Sequence, residues 1–115
     1  MNTALKNKPE KNILYLLELT PISEHILEKI SVQERLEKIF YDLAQVSGFE
    51  IDSCDILFDF VAITMYVKPS VNIEDLVVDL KKQSTDLLIK EFKEFKQFVD
   101  EGSLWGKGDD LELLS

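Results

Sequence analysis

The chain has one cysteine, one histidine and no glycine-rich segment among its 115 residues. Cys54 alone excludes an internal disulfide, and its place in an apolar strand-like run suits a buried, inert thiol better than a nucleophile. His25 alone, in a polar connection, excludes any His/Cys cluster at metal-ligand spacing and most histidine-based acid–base chemistry. Gly106-Lys107-Gly108 is too short for a phosphate-cradling loop and reads as a turn. No stretch reaches the roughly 20 apolar residues of a membrane helix, and the N-terminus has no signal-peptide apolar region. The expectation is a soluble cytoplasmic protein with no membrane partner.

Positive charge is also scarce. The formal net charge is −9. Proteins that grip nucleic acid by its phosphates normally show a basic face, because each neutralised phosphate releases counterions. The acidity reads more simply as a device for solubility.

What is present is an ordinary globular balance, 45% hydrophobic and 30% charged. That supports one domain with a single core, over residues 12–115. Residues 1–11 (MNTALKNKPEK) are polar and read as a loose tail. Residues 12–20 form an apolar strand ended by Pro21, and 21–30 a connection. Ser31-Val-Gln-Glu34 is a capping-box pattern that predicts a helix from about 32 to 47, stopped at Gly48. Residues 49–57 and 60–67 read as a hairpin of strands around Asp59, and Lys68-Pro69-Ser70 breaks the second. Asn72 and Asp75 open another helix with Ile73, Leu76, Val77, Leu80, Ser84, Leu87, Leu88, Phe92 and Phe95 on its inner stripe. Leu104-Trp105 and Leu111–Leu114 are the material for a last strand. The order strand, helix, strand, strand, helix, strand predicts an α+β, ferredoxin-like split βαβ sandwich: an antiparallel sheet with two helices on one face.

Candidate chemistry is sparse. Asp52, Asp55 and Asp59 flank the hairpin, and Asp109 and Asp110 lie near the end. Such oxygen-rich groups can bind Mg²⁺ or Ca²⁺, but acidic strand edges also face solvent and discourage sheet-to-sheet association, which is the simpler reading. Lys81, Lys82 and Lys90 make the second helix locally basic and are the candidate nucleic-acid contacts; pairing with Asp86, Glu91 and Glu94 is the plainer account of these charges.

Several patterns carry a resemblance. LKKQSTDLLIKEF at 80–92 resembles the Leu-Lys-Gly, Ser-Ser, basic, Leu, Lys-Glu-Phe pattern of the single-tyrosine (HUH-type) transposases of insertion sequences and their REP-associated relatives, with Leu80, Lys81, Ser84, Leu88, Lys90, Glu91 and Phe92 fitting. Leu104-Trp105 fits the Leu-Trp that follows, and VKPSVNIEDLV resembles the proline-containing link into the helix. The resemblance implies a homodimeric, metal-dependent transposase of single-stranded DNA. In that family a strand carries His–hydrophobic–His as metal ligands, and a tyrosine on a later helix attacks the phosphate.

The departures fall on the enzyme parts. Phe60 and Ala62 hold the ligand positions and cannot bind metal. Leu19-Thr20-Pro21 replaces a basic stretch, and Asp86 replaces a basic residue. The chain stops at Ser115, before the tyrosine-bearing helix expected of the family; Tyr15, Tyr41 and Tyr66 do not occupy its place. The expectation is a non-cleaving relative without a metal or other cofactor. It would be kept as a homodimer joined through edge strands, with Leu104, Trp105, Leu111 and Leu113 as candidate contacts. The alternative is a non-catalytic nucleic-acid-binding or regulatory module, with weak single-stranded DNA as partner.

Overall fold

The structure is a computed structural model that describes residues 11–108 and 110–115. The predicted tail falls almost wholly outside the described residues, as does Asp109. The elements are β1 (Ile13–Leu19), α1 (Ile30–Ser47), β2 (Glu50–Ile56), β3 (Val61–Val67), α2 (Ile73–Glu91), a 3-10 helix (Lys93–Phe98) and β4 (Asp110–Leu113). The sheet order is β2-β3-β1-β4, with every neighbouring pair antiparallel. This is the expected ferredoxin-like arrangement.

Local sequence explains most of the boundaries. In β3, Val61, Ile63, Met65 and Val67 are buried while Ala62, Thr64 and Tyr66 between them are half-buried, the period-two alternation of a strand with one face on the core. The Asn72 side chain accepts a hydrogen bond from the Asp75 N–H at 3.0 Å, an N-cap as expected. Gly48 ends α1 in the left-handed region at φ 78°, its N–H donating to the Ala44 carbonyl at 2.9 Å. The Ser31–Glu34 capping box does not form. Helix α1 starts earlier, at Ile30 after Lys29 as N-cap without a side-chain cap, and the Gln33 amide instead donates to the Leu27 carbonyl at 2.7 Å. Helix α2 ends at Glu91, so Phe92 and Phe95 reach the core from the cap and the 3-10 helix rather than from a continued α-helix.

The helices contribute Val32, Leu36, Ile39, Phe40, Leu43, Leu76, Val77, Leu80 and Leu88 to one core with Leu17, Leu19, Ile63 and Met65 of the sheet. Ile26 and Leu27 of the connection join it, both fully buried. Arg35 on α1 and Glu91 on α2 form an ion pair at 2.8 Å (Nε to Oε2), although not aligned as a hydrogen bond.

The segment after the 3-10 helix departs most from expectation. Leu104 and Trp105 are 0% and 2% exposed. Two hydroxyls on the inner side of α2, Ser84 and Thr85, hold them there. The Trp105 indole Nε1–H donates to Ser84 Oγ at 2.9 Å, and the Leu104 N–H donates to Thr85 Oγ1 at 2.9 Å. Thr85 Oγ1 in turn donates to the Lys81 carbonyl at 2.7 Å. Leu104 and Trp105 therefore form no part of β4, apart from a single bridge between Trp105 and Pro21. Their proposed place in a dimer contact is corrected for the same reason: a side chain sealed in the core has no surface to offer a second copy.

Candidate active site

The sheet has two faces, and the register assigns residues to each. Helices α1 and α2 cover the face of Leu17, Leu19, Ile63 and Met65. The opposite, open face is built in rows of cross-strand partners. Ala62 lies opposite Asp55 on one side and Glu18 on the other, and Glu18 lies opposite Asp110. The next row is Ser53, Thr64, Leu16 and Glu112. A third holds Glu50, Tyr66 and Leu14. Leu114 continues that row, since its N–H donates to the Leu14 carbonyl at 2.8 Å.

The two positions of interest sit at one end of this face. Ala62 points out of it from β3, and Phe60, half-buried, precedes the strand, its carbonyl accepting from the Leu57 N–H at 2.9 Å. Phe60 lies two residues before Ala62, just outside the strand, so the pair would share a face only if the extended backbone of β3 continued back to it. Neither carries an atom that can donate a lone pair to a metal. The neighbouring carboxylates do not replace them: among the described residues no three His, Cys, Asp or Glu side chains converge as a ligand set. Across Ala62, Asp55 and Glu18 are two strand spacings apart, roughly 10 Å. The residues present do not fit a bound metal.

Among the described residues, no activated nucleophile stands nearby. Tyr66 shares the open face but lies four residues along β3, about 13 Å from Ala62. Ser53 Oγ and Thr64 Oγ1 are 2.5 Å apart, and Thr64 Oγ1 donates to Asp52 Oδ2 at 3.4 Å. This is a cross-strand hydroxyl pair at the β-bulge between Ile51 and Ser53, not a nucleophile with a base. His25 is away from the sheet, exposed, 3.4 Å from Glu28 and with its ring 6.4 Å from that of Phe98. Cys54 projects toward the helices, and burial, followed by the charges of Glu37 and Asp55, pushes its thiol up to about 12. It is not a thiolate at neutral pH.

The lysines on α2 are not gathered into a site. Lys81 and Lys90 are nine residues apart, so they project from roughly opposite sides of the helix. The Lys81 ammonium donates to the Gly106 carbonyl at 3.0 Å, and Lys82 pairs with Asp86 at 3.3 Å. Leu111 and Leu113 are on β4, exposed at 37% and 65%. Of the four leucine and tryptophan positions expected at a subunit contact, these two alone are at the surface.

The sequence profile of the family described as "Transposase IS200 like" matches residues 12–109. The chain belongs to that family. Among solved structures, a protein of Deinococcus radiodurans R1 described as a candidate transposase superposes with a TM-score of 0.81 at 25% identity, covering 91% of this chain and 81% of that one. Comparison with curated proteins gives no match. The IS200-like fold thus persists here, while the place where the resemblance puts the family's histidine pair holds Phe60 and Ala62. The signal for the Ser84–Thr85 latch was visible only as two adjacent hydroxyls on an otherwise apolar stripe. The row Asp55–Ala62–Glu18–Asp110 had no linear signal at all, since it joins four strands.

Proposed function

We propose that this chain is an IS200-like transposase relative that has lost DNA cleavage and strand transfer and serves as a dimerising scaffold. The observation that carries the reading is the pair Phe60 and Ala62. The resemblance puts the family's ligand pair at these two positions, and both side chains have the chemistry of packing residues. Without donors there, no metal is held to polarise a scissile phosphate. The surrounding charge points the same way, because Glu18, Asp55 and Asp110 repel a phosphate approaching Ala62. Dimerisation would run through edge strands. Of the two edges, β2 is blunted by its bulge and by Glu50, Asp52 and Asp55, whereas β4 presents Leu111 and Leu113. The alternative of a nucleic-acid-binding module has less support, since Lys81, Lys82 and Lys90 do not form one patch.

A labelled single-stranded hairpin incubated with the full chain and Mg²⁺ or Mn²⁺ tests the first part. Intact DNA and no covalent protein–DNA adduct are expected; cleavage overturns the reading. Sedimentation at high concentration tests the second. A dimer that Leu113→Lys dissociates is expected, and a strict monomer rules out the scaffold role.

A further inference from the structure

The four strands contain no lysine, arginine or histidine. They contain six carboxylates: Glu18, Glu50, Asp52, Asp55, Asp110 and Glu112. All six belong to the open face. Register places Glu18, Glu50, Asp55, Asp110 and Glu112 there, and Asp52, displaced by the bulge, accepts from the Thr64 hydroxyl on that face. Outside the sheet, some carboxylates pair with a base, Glu91 with Arg35, Asp42 with Lys38, Asp86 with Lys82 and Glu101 with Lys107, while others such as Glu34, Glu37 and Asp59 do not among the described residues. None of the six has such a partner among the described residues.

The face is also not uniformly polar. Leu14, Leu16, Tyr66 and Leu114 form an apolar strip that runs from the row beside Ala62 to the far end of the face, with Leu114 43% exposed. Acid concentrated around Ala62 and an apolar strip edged by Glu50 and Glu112 make an amphipathic surface with no covering element among the described residues.

We propose that this open face docks a lysine- or arginine-rich amphipathic helix of a protein partner. Charge complementarity selects the occupant. Glu18 and Asp110 are directly opposite each other on adjacent strands, an arrangement that is destabilising for like charges and is relieved by a cation between them. Phosphate meets the reverse, so nucleic acid is repelled from the surface that would take the helix. Shape agrees. Four strands span roughly 15–20 Å, and a helix about 10 Å wide laid over β1 and β3 can set its apolar stripe on Leu14, Leu16 and Tyr66 and its cations among Glu18, Asp55 and Asp110. A helix on a sheet face is the standard way to bury such a strip. The edges remain free, so this docking and a dimer through β4 are independent.

The probe is a fluorescent synthetic helix of alternating lysine and leucine at helical spacing, titrated into the full chain by anisotropy, with its glutamate-for-lysine counterpart as control. The lysine peptide binds and the glutamate peptide does not. Glu18→Lys/Asp55→Lys weakens binding at least tenfold. Asp110→Lys/Glu112→Lys, on the exposed edge strand, does the same if the first pair disturbs folding. Glu24→Lys/Glu34→Lys makes the same change in net charge away from the sheet and leaves affinity within twofold. Equal loss in all three variants shows attraction to net charge alone and overturns the proposal. So does binding of an oligothymidylate that the open-face reversals abolish, or a self-association that they, rather than Leu113→Lys, disrupt.

Discussion

Thr85→Val tests whether the latch between α2 and the 104–105 segment is held by hydrogen bonds or by packing alone. Valine keeps the shape of threonine and removes the hydroxyl. In the native chain that hydroxyl accepts from the Leu104 N–H at 2.9 Å and donates to the Lys81 carbonyl at 2.7 Å. Thr85 is 1% exposed and Leu104 0%, so water cannot take over either role. Lys81 retains its helical acceptor role, and Ser84 Oγ also donates to its carbonyl at 3.3 Å, so the main loss is the Leu104 N–H left buried and unpaired. An orphaned buried donor costs about 1–3 kcal/mol. With a urea dependence of about 1.5 kcal/mol/M, ordinary for a small domain, the midpoint falls by roughly 0.7–2 M. Trp105 is the chain's single tryptophan, packs near Phe40 at a ring separation of 6.2 Å and reports the transition by its fluorescence. Thr85→Ser is the control. It keeps the hydroxyl and loses one methyl, about 0.8 kcal/mol. If the serine variant is as unstable as the valine variant, packing rather than hydrogen bonding holds the latch, and the account given above is refuted.

Three further outcomes are expected. Gly48→Ala forces a Cβ into the left-handed region at φ 78° and costs about 1–2 kcal/mol, read as a lower thermal midpoint, although there is open space around the position. The folded chain holds the Cys54 thiol up to about 12, above its unfolded value, so the stability it contributes is complete below the unfolded pKa near 9 and is lost as pH rises toward 12. Urea midpoints that fall through that alkaline window in the native chain and fall less in Cys54→Ala are the expected readout; identical slopes sink the assignment. Phe60→His/Ala62→His puts two imidazoles two residues apart at the start of β3 and raises Co²⁺ affinity on the order of tenfold or more, followed by its absorption spectrum. No gain would mean that the two positions are not geometrically a ligand pair.

What the sequence disclosed depended on range. Asn72 and Gly48 act on neighbours three or four residues away, and both were legible as a helix start and a helix stop. The β-branched and aromatic composition of 60–67 marked β3 as a strand because that signal is also local. The Ser31–Glu34 box misled because the buried Ile26 and Leu27 and the Gln33 bond to the Leu27 carbonyl tie the preceding connection to an earlier helix start. Leu104 and Trp105 were read as strand or surface because an apolar pair near a chain end has several uses. The deciding partners, Ser84 and Thr85, are about twenty residues away. Charge was legible in total but not in distribution. The net charge gives no hint that every charged residue of the sheet is acidic and on one side, a fact that requires both the register and the bulge at Asp52.

The latch also governs which chemistry the last strand shows to each side. Trp105 is fixed to Ser84, and Gly106 is fixed by its N–H to the Thr20 carbonyl at 2.7 Å. Only residues 107–109 then separate that anchor from β4, which must land with Asp110 beside Glu18. A slip of one residue would turn Leu111 and Leu113 onto the open face and drive Asp110 and Glu112 toward the helices. An inserted or deleted residue between Gly106 and Asp110 would invert the strand's two-sided character while leaving every residue of the strand itself unchanged.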